Sequence, residues 1–437
     1  MGKLTFRGGI HPYEGKELSK DHPIEKYLPK GDLVYPLSQH IGAPSVPCVK
    51  KGDTVLAGQK IADAGGFVSV PLHASVSGTV KGIEKRLNAT GSMVDCIVIE
   101  NDQQYQETEF QEARLEDLTK EEILNRIKEG GVVGMGGAGF PTHVKLAPKD
   151  PSKIEYILVN GAECEPYITS DYRRMIEEPE KVVKGLQVIL TLFDSAKGYI
   201  CIEDNKPDCI AKMKELVKDI DRIEVKEMMT KYPQGGERTL IYAATGREIN
   251  SSMLPADVGC VVDNVETVIS VYKAVILGRP VNSRVVTVTG DGIKEPKNLL
   301  VLAGTDMSEL VDAAGGLKGK IAKAISGGPM MGQALFSLDF PVAKTSSALT
   351  TFTKDQVAAM EPSACIRCGR CVGVCPEHLV PPLMMKASTA HDLEKFQSLN
   401  GMECVECGCC AYACPARRPL TQAFKEMRKA VAASRRK

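Results

Sequence analysis

The sequence lacks an excess of charge of either sign. Its 55 Lys and Arg are matched by 55 Asp and Glu, so no global field draws the chain to nucleic acid or to an anionic surface. Long apolar runs are missing too: nothing among the 437 residues approaches the ~18–20 needed to span a bilayer. The opening MGKLTFRGGIHPYEGK has none of the charged-then-apolar layout of an export signal. A soluble, non-exported chain is expected. At 43% hydrophobic and 25% charged residues it can build real cores, and its length suggests roughly three domains or more. Cysteine is not scarce but is unevenly placed: nine of the fifteen fall between Cys365 and Cys414. A disulfide scaffold would spread its cysteines through a small domain, so this crowding points to metal ligation in a reducing compartment.

Composition changes along the chain imply a multidomain α/β protein in four sections. Residues 1–115 hold short β-branched runs between Gly and Pro turns, a pattern resembling the biotinyl/lipoyl carrier β-barrel. Carriers need a lysine at an exposed hairpin tip, and Phe67–Ala74 has none, so a structural or docking role is expected. Residues 116–280 alternate strands (Ile154–Val159, Gly198–Ile202) with amphipathic helices, the first opened by a Thr119/Glu122 capping box, which predicts a largely parallel sheet. Residues 281–355 predict a small α+β module, with strands at Arg284–Thr289 and Lys320–Ser326 and a helix at Met307–Ala314. Residues 356–437 carry the cysteine runs and end in a basic helix, with eight Lys or Arg against one Glu from Arg417 onward. A solvated face is the ordinary reading of such a run; an acidic partner or lipid head groups are the alternative.

The runs Cys365-x-x-Cys368-x-x-Cys371-x-x-x-Cys375-Pro and Cys404-x-x-Cys407-x-x-Cys410-x-x-x-Cys414-Pro have bacterial ferredoxin spacing, in which the last cysteine ligates the other cluster. One 4Fe-4S cluster is therefore assigned to Cys365, Cys368, Cys371 and Cys414, the second to Cys404, Cys407, Cys410 and Cys375. Structural zinc would leave an awkward third cysteine in each run. Cys409 is surplus and is expected to be a small buried residue.

Gly134-Met-Gly-Gly-Ala-Gly-Phe140 fits G-x-G-x-x-G, a loop whose backbone amides can approach a phosphate. A helix starting near Thr142 is expected to add its dipole, and Lys145 a counter-charge. The glycines do not stand alone. With Asn160-Gly-Ala-Glu-Cys-Glu165, Gly235-Gly-Glu-Arg-Thr239 and Asp263-Asn-Val-Glu-Thr267 in the same order, this region resembles the NADH- and FMN-binding 51-kDa subunit family of respiratory complex I. Together with the carrier-like front and double-ferredoxin end, nearly the full chain resembles the RnfC family, which supplies one subunit of the Rnf ion-translocating electron transport complexes.

The resemblance implies FMN held by Gly134, Gly136, Lys145, Asn160 and Asn264 with Thr267 nearby. It implies NAD(H) facing Phe140 and Glu165, and Gly236 and Glu237 lining the same cleft; Gly137, Gly139 and Glu163 are counted with them. Glu163 and Glu165 are also placed to cap a helix after the strand. It further implies a β-grasp, soluble-ligand-binding (SLBB-type) identity for residues 281–355. The sequence departs from the complex I pattern at Met135, Ala162, Arg238 and Asp263. No acid–base pair or nucleophile is found, and Cys164 reads as packing. The expected function is electron transfer among NAD(H), FMN and two 4Fe-4S clusters, coupled to ion movement by membrane-spanning Rnf partners, with ferredoxin engaged indirectly and no nucleic acid. The expected place is the cytoplasmic face of the membrane. A soluble flavin/iron–sulfur oxidoreductase or hydrogenase subunit, and an electron-relay scaffold with a vestigial cleft, are the alternatives.

Overall fold

Four parallel strands form the centre of the molecule, in the order Ile223–Met228, Lys197–Glu203, Tyr156–Gly161, Cys260–Asn264. The computed structural model describes residues 3–435, so Met1, Gly2 and the last two cations of the basic C-terminal segment, Arg436 and Lys437, lie outside the description. Strands such as Tyr-Ile-Leu-Val and Tyr-Ile-Cys-Ile are apolar on successive residues, the mark of a parallel sheet covered on both faces. Ile157, Val159, Ile200 and Ile202 pack on Val182, Leu186 and Ile189 of one helix (Pro179–Leu190) and on Val268 and Val271 of another (Val265–Val275). The two helices cross so closely that a Cβ on Gly185 would lie 2.1 Å from the Val268 carbonyl oxygen. The chain winds outward from Tyr156–Gly161 and then returns to its other side. Strand order therefore reverses between Tyr156–Gly161 and Cys260–Asn264, and a crevice opens at their carboxyl ends.

The helix Lys120–Glu129 begins with the expected capping box: Thr119 Oγ1 accepts from the Glu122 amide at 3.2 Å and the Glu122 carboxylate from the Thr119 amide at 2.8 Å. The strand expected from Ile154 starts at Tyr156, after a 3-10 turn over Pro151–Lys153. The strand expected from Lys320 starts at Lys323. The expectation of a helix dipole near Thr142 is corrected: Thr142–Lys145 is a single four-residue turn, too short to align peptide dipoles.

The carrier-like region forms two small antiparallel sheets around Leu33, Tyr35, Ile61, Leu72, Ile97 and Ile99. Its loops press on the glycine-rich loop, where the Ile41 amide donates to the Gly139 carbonyl at 3.1 Å. The third module contributes five strands of a six-stranded mixed sheet, and the sixth, an edge strand from far upstream, Ile24–Lys26, joins by parallel pairing with Asn298–Leu300.

In the last section the helices Pro381–Thr389, Leu393–Ser398 and Leu420–Ser434 pack through Met384, Phe396, Phe424, Met427 and Val431. The basic terminal helix thus has a buried apolar face, with Lys429 and Arg435 exposed. The N-terminal segment straps these parts together. The Gly9 amide donates to the Val374 carbonyl at 2.9 Å, and Ile10 and Tyr232 exchange backbone hydrogen bonds of 2.8 and 2.9 Å.

Candidate functional site

The crevice is walled by residues at the ends of the two central strands. Asn160 donates from Nδ2 to the Gly235 carbonyl at 2.9 Å and accepts the Ala162 amide at 3.2 Å. Opposite, Asn264 donates to Asp171 Oδ2 at 2.6 Å and accepts the Glu266 amide at 2.9 Å. Lys145 bridges from the single helical turn, donating to the Val262 carbonyl at 2.7 Å and to Asp263 Oδ1 at 3.0 Å. Asp263 is buried, and its Oδ2 has no partner. Burial raises the Asp263 pKa against the pull of Lys145, and burial likewise raises that of Glu237 beside them.

The glycine loop lies over this wall. A Cβ on Gly136 would stand 3.2 Å from Asn264 Cβ, whereas one on Gly137, at φ +135°, would meet nothing. Gly134 accepts the Gly139 amide at 3.1 Å and donates to the Phe140 carbonyl at 2.8 Å, leaving Phe140 half-exposed at the loop's end. An open, side-chain-free arc beside an amine, two carboxamides and an orphaned carboxylate oxygen fits a flavin phosphate and its polar ring edge.

The structure gives Thr267 and Glu163 supporting positions. Thr267, fully buried, accepts the Met135 amide at 2.8 Å and pins the loop from behind. Glu163 accepts the Asp171 amide at 2.7 Å and the Tyr172 amide at 3.3 Å, capping the helix Ser170–Glu177. Gly236 opens the helix Glu237–Thr245, and Arg238 turns away to Glu377 and Glu403 at 2.7 and 2.9 Å. Met135 points into the core, and its carbonyl accepts from buried Arg284 at 2.7 Å.

Glu165 has an unexpected partner. Its carboxylate accepts the amides of Met330 and Met331, at 3.2 and 2.7 Å, from a loop of the third module. Burial pushes it up to about 7. Sequence reading also misses Lys16, which is buried and donates to the carbonyls of Glu163, Glu165 and Ile168 at 2.8, 3.1 and 2.6 Å. A lysine 147 residues upstream of its first partner carries no local signal.

The eight ferredoxin-type cysteines fall into two groups. Cys375, Cys404, Cys407 and Cys410 line one pocket; Cys365, Cys368, Cys371 and Cys414 line another. Each quartet rings a space. Among the described residues no three His, Cys, Asp or Glu side chains come close enough to share one ion. A cubane, with iron at four corners, fits such a ring. The loops repeat their backbone at an offset of thirty-nine residues: Arg367 and Glu406 both have φ +58°, and Gly369 and Gly408 φ +75° and +83°. Left-handed residues are uncommon outside glycine, so the shared pattern marks the two loops as one repeated turn.

The quartets differ in surroundings. Residues 361–370 are exposed throughout, Cys365 and Cys368 included. Cys407 and Cys409 are buried with Tyr232 and Ile10, against Cys164 and Met330. The Tyr232 hydroxyl donates to the Cys407 carbonyl at 2.7 Å, the Cys409 thiol to the Tyr232 carbonyl at 3.8 Å, and the Gly235 amide to Cys164 Sγ at 3.2 Å. One buried connection therefore runs from the crevice to the Cys404–Cys410 loop.

Comparison with known proteins agrees with this layout. The chain matches the models of the RnfC barrel sandwich hybrid domain over residues 4–104, the Nuo51 FMN-binding domain over 127–273, the SLBB domain over 285–334 and the 4Fe-4S dicluster domain over 359–415. It is 44% identical to the RnfC-type subunit of the Na(+)-translocating ferredoxin:NAD(+) oxidoreductase complex of Acetobacterium woodii, over 99% of this chain and 98% of that one. The chain belongs to the RnfC family. A second member, from the proton-translocating ferredoxin:NAD(+) oxidoreductase complex of Clostridium ljungdahlii, is 46% identical over 87% of this chain and 83% of its own. Among solved structures, an air-oxidized NAD+-reducing [NiFe]-hydrogenase shares the fold at a TM-score of 0.50 and 19% identity, over 76% of this chain and 72% of that one. RnfC-family membership accounts for the carrier-like front that complex I similarity alone leaves unexplained.

Proposed function

We propose that this chain is the NAD(H)-reacting subunit of an ion-translocating ferredoxin:NAD+ oxidoreductase complex, exchanging electrons among NAD(H), FMN and two 4Fe-4S clusters. FMN bound in the crevice would take two electrons from NADH and release them singly, the conversion that one-electron clusters need. The chain's own residues bind and orient. Gly134, Gly136, Gly137, Lys145, Asn160 and Asn264 hold the flavin; Phe140, Glu165, Gly236 and Glu237 face the dinucleotide; Thr267, Glu163 and Gly139 keep the loops in place. The buried connection through Cys164, Tyr232 and Cys407 carries this reading, because it places one quartet against the crevice and leaves the other at the surface.

Among the described residues no helix is long and apolar enough to cross a membrane. Ion movement is therefore assigned to membrane-spanning partner subunits, with this chain peripheral on the cytoplasmic face and ferredoxin engaged through the complex. The two relatives are named for different ions, sodium and protons, which suits a subunit that leaves ion choice to its partners.

Glu165→Gln tests the dinucleotide site. The neutral amide cannot accept both the Met330 and Met331 amides as a carboxylate does. The KM for NADH is expected to rise about tenfold, the loss of one charge-assisted hydrogen bond, while flavin content is unchanged. An unaltered KM would remove Glu165 from the site.

A further inference from the structure

The third module reaches the glycine loop with two buried cations. Arg284, in the strand Ser283–Thr289, is 2% exposed, and Lys344 is 3% exposed. Neither closes an ion pair among the described residues. Lys344 donates to the carbonyls of Pro71 and Gly131 at 3.0 and 2.7 Å. Arg284 donates from Nε to the Ser346 carbonyl and from Nη2 to the Met135 carbonyl, both at 2.7 Å. Its buried Nη1 has no partner. A buried charge without a counter-ion is costly, and the carboxylates nearest to Arg284 are engaged elsewhere. Glu266 is gripped by Arg174, itself a like charge, and Asp171 accepts from Asn264. Burial pulls Lys344 down to about 7, whereas a guanidinium keeps its proton throughout. Arg284 is therefore the lasting unpaired cation at this loop.

We propose that Arg284 is a positioning residue for the flavin: it holds the glycine loop through the Met135 carbonyl, and its unpaired charge favours the reduced cofactor over the oxidised one. The inference rests on the proposed function in that FMN occupies the crevice. Hydride transfer from NADH delivers two electrons and one proton and releases NAD+, so one negative charge is added at the crevice. A fixed cation in a low-dielectric site stabilises such a charge without reorganising, and more strongly than it would in water. The location suits this. Met135 is flanked by Gly134 and Gly136, and a Cβ on Gly136 would stand 3.2 Å from Asn264 Cβ on the crevice wall. The missing counter-ion is accounted for as well. An arginine that serves as a plain clamp is matched by carboxylates, as Arg174 is by Glu266 and Glu178; Arg284 is left unmatched where charge arrives with the electrons.

The test is an anaerobic spectroelectrochemical titration of FMN in the full chain, comparing the wild type with Arg284→Gln and Arg284→Lys. Flavin absorbance is read after subtracting a flavin-free sample, and the Kd of oxidised FMN is measured alongside. Arg284→Gln is expected to weaken binding of reduced FMN about tenfold more than that of oxidised FMN, which places the midpoint potential about 30 mV lower. Arg284→Lys keeps the charge but not the two-carbonyl grip, so it is expected to raise the Kd of oxidised FMN while leaving the potential near the wild-type value. A potential unmoved in Arg284→Gln, with FMN affinity alone reduced, overturns the proposal and makes the guanidinium a clamp. A tenfold selective loss of reduced FMN in Arg284→Lys also overturns it, and that comparison stands if Arg284→Gln does not fold. A wild-type chain that binds no FMN refutes both this inference and the proposed function. A chain whose FMN is reduced by NADH, with a potential indifferent to Arg284, refutes this inference alone.

Discussion

Cys375→Ala is expected to lower the iron content from about eight to about four atoms per chain. The cluster lost is the one ringed by Cys404, Cys407 and Cys410, although Cys375 sits in the other run. The reason is geometric. Three cysteines spaced three apart wrap one side of a ring, and the chain then leaves the loop toward Pro376, carrying Cys375 into the neighbouring cavity. Alanine there leaves three ligands around a space lined by Leu379, Met384 and Phe424, and no other side chain supplies a fourth thiolate in the right place. Cys409 lines the same cavity but is held by the Tyr232 carbonyl. Iron analysis with electron paramagnetic resonance of the dithionite-reduced protein checks this. The surviving signal is expected to be that of Cys365, Cys368, Cys371 and Cys414, reducible by dithionite and no longer by NADH. Loss of that signal instead, or unhindered reduction by NADH, would contradict the assignment.

Glu266→Gln is expected to destabilise the α/β domain by about 1.5–3 kcal/mol, because it leaves a buried guanidinium with Glu178 as its remaining carboxylate partner. Arg174 is 2% exposed and grips Glu266 with two hydrogen bonds, at 2.6 and 3.0 Å. Burial opposes ionisation of Glu266, but Arg174, with Lys273 and Arg284, outweighs it and holds the carboxyl at about 2. The sign follows from linkage. A depressed carboxylate adds stability above its unfolded pKa of about 4.3, and that stability is lost as pH falls toward the folded value. Thermal unfolding between neutral pH and pH ~3 is therefore expected to show a steep loss in the wild type and a shallower one in the Gln variant, which begins lower. Equal melting temperatures at neutral pH would mean that the pair contributes no net stability.

What the sequence discloses and what it hides have separate physical causes. The cysteine runs are legible because cluster ligation fixes spacing within a single loop. The Thr119 capping box is legible because both partners lie within one turn. The glycine loop is recognisable, but its work is divided in a way no pattern shows. Thr267 faces backward to hold the Met135 amide, Glu163 caps a helix, and Met135, where the sequence departs from the complex I pattern, fills the core. Buried Arg284 from the third module reaches the same carbonyl, with one N–H unpartnered. Lys16, Arg284 and the Met330–Met331 amides each reach the site from more than a hundred residues away, so only the fold brings them there. The left-handed Arg367 and Glu406 are equally hidden, since neither residue type favours that conformation.

The most direct test of the central claim is the anaerobic visible spectrum of the purified chain before and after NADH, with released flavin and iron quantified. About one FMN and about eight irons per chain, with absorbance bleaching on NADH alone, is the predicted result. Eight irons without flavin, or with flavin but no bleaching until dithionite is added, would contradict it and leave a chain whose clusters are filled from elsewhere.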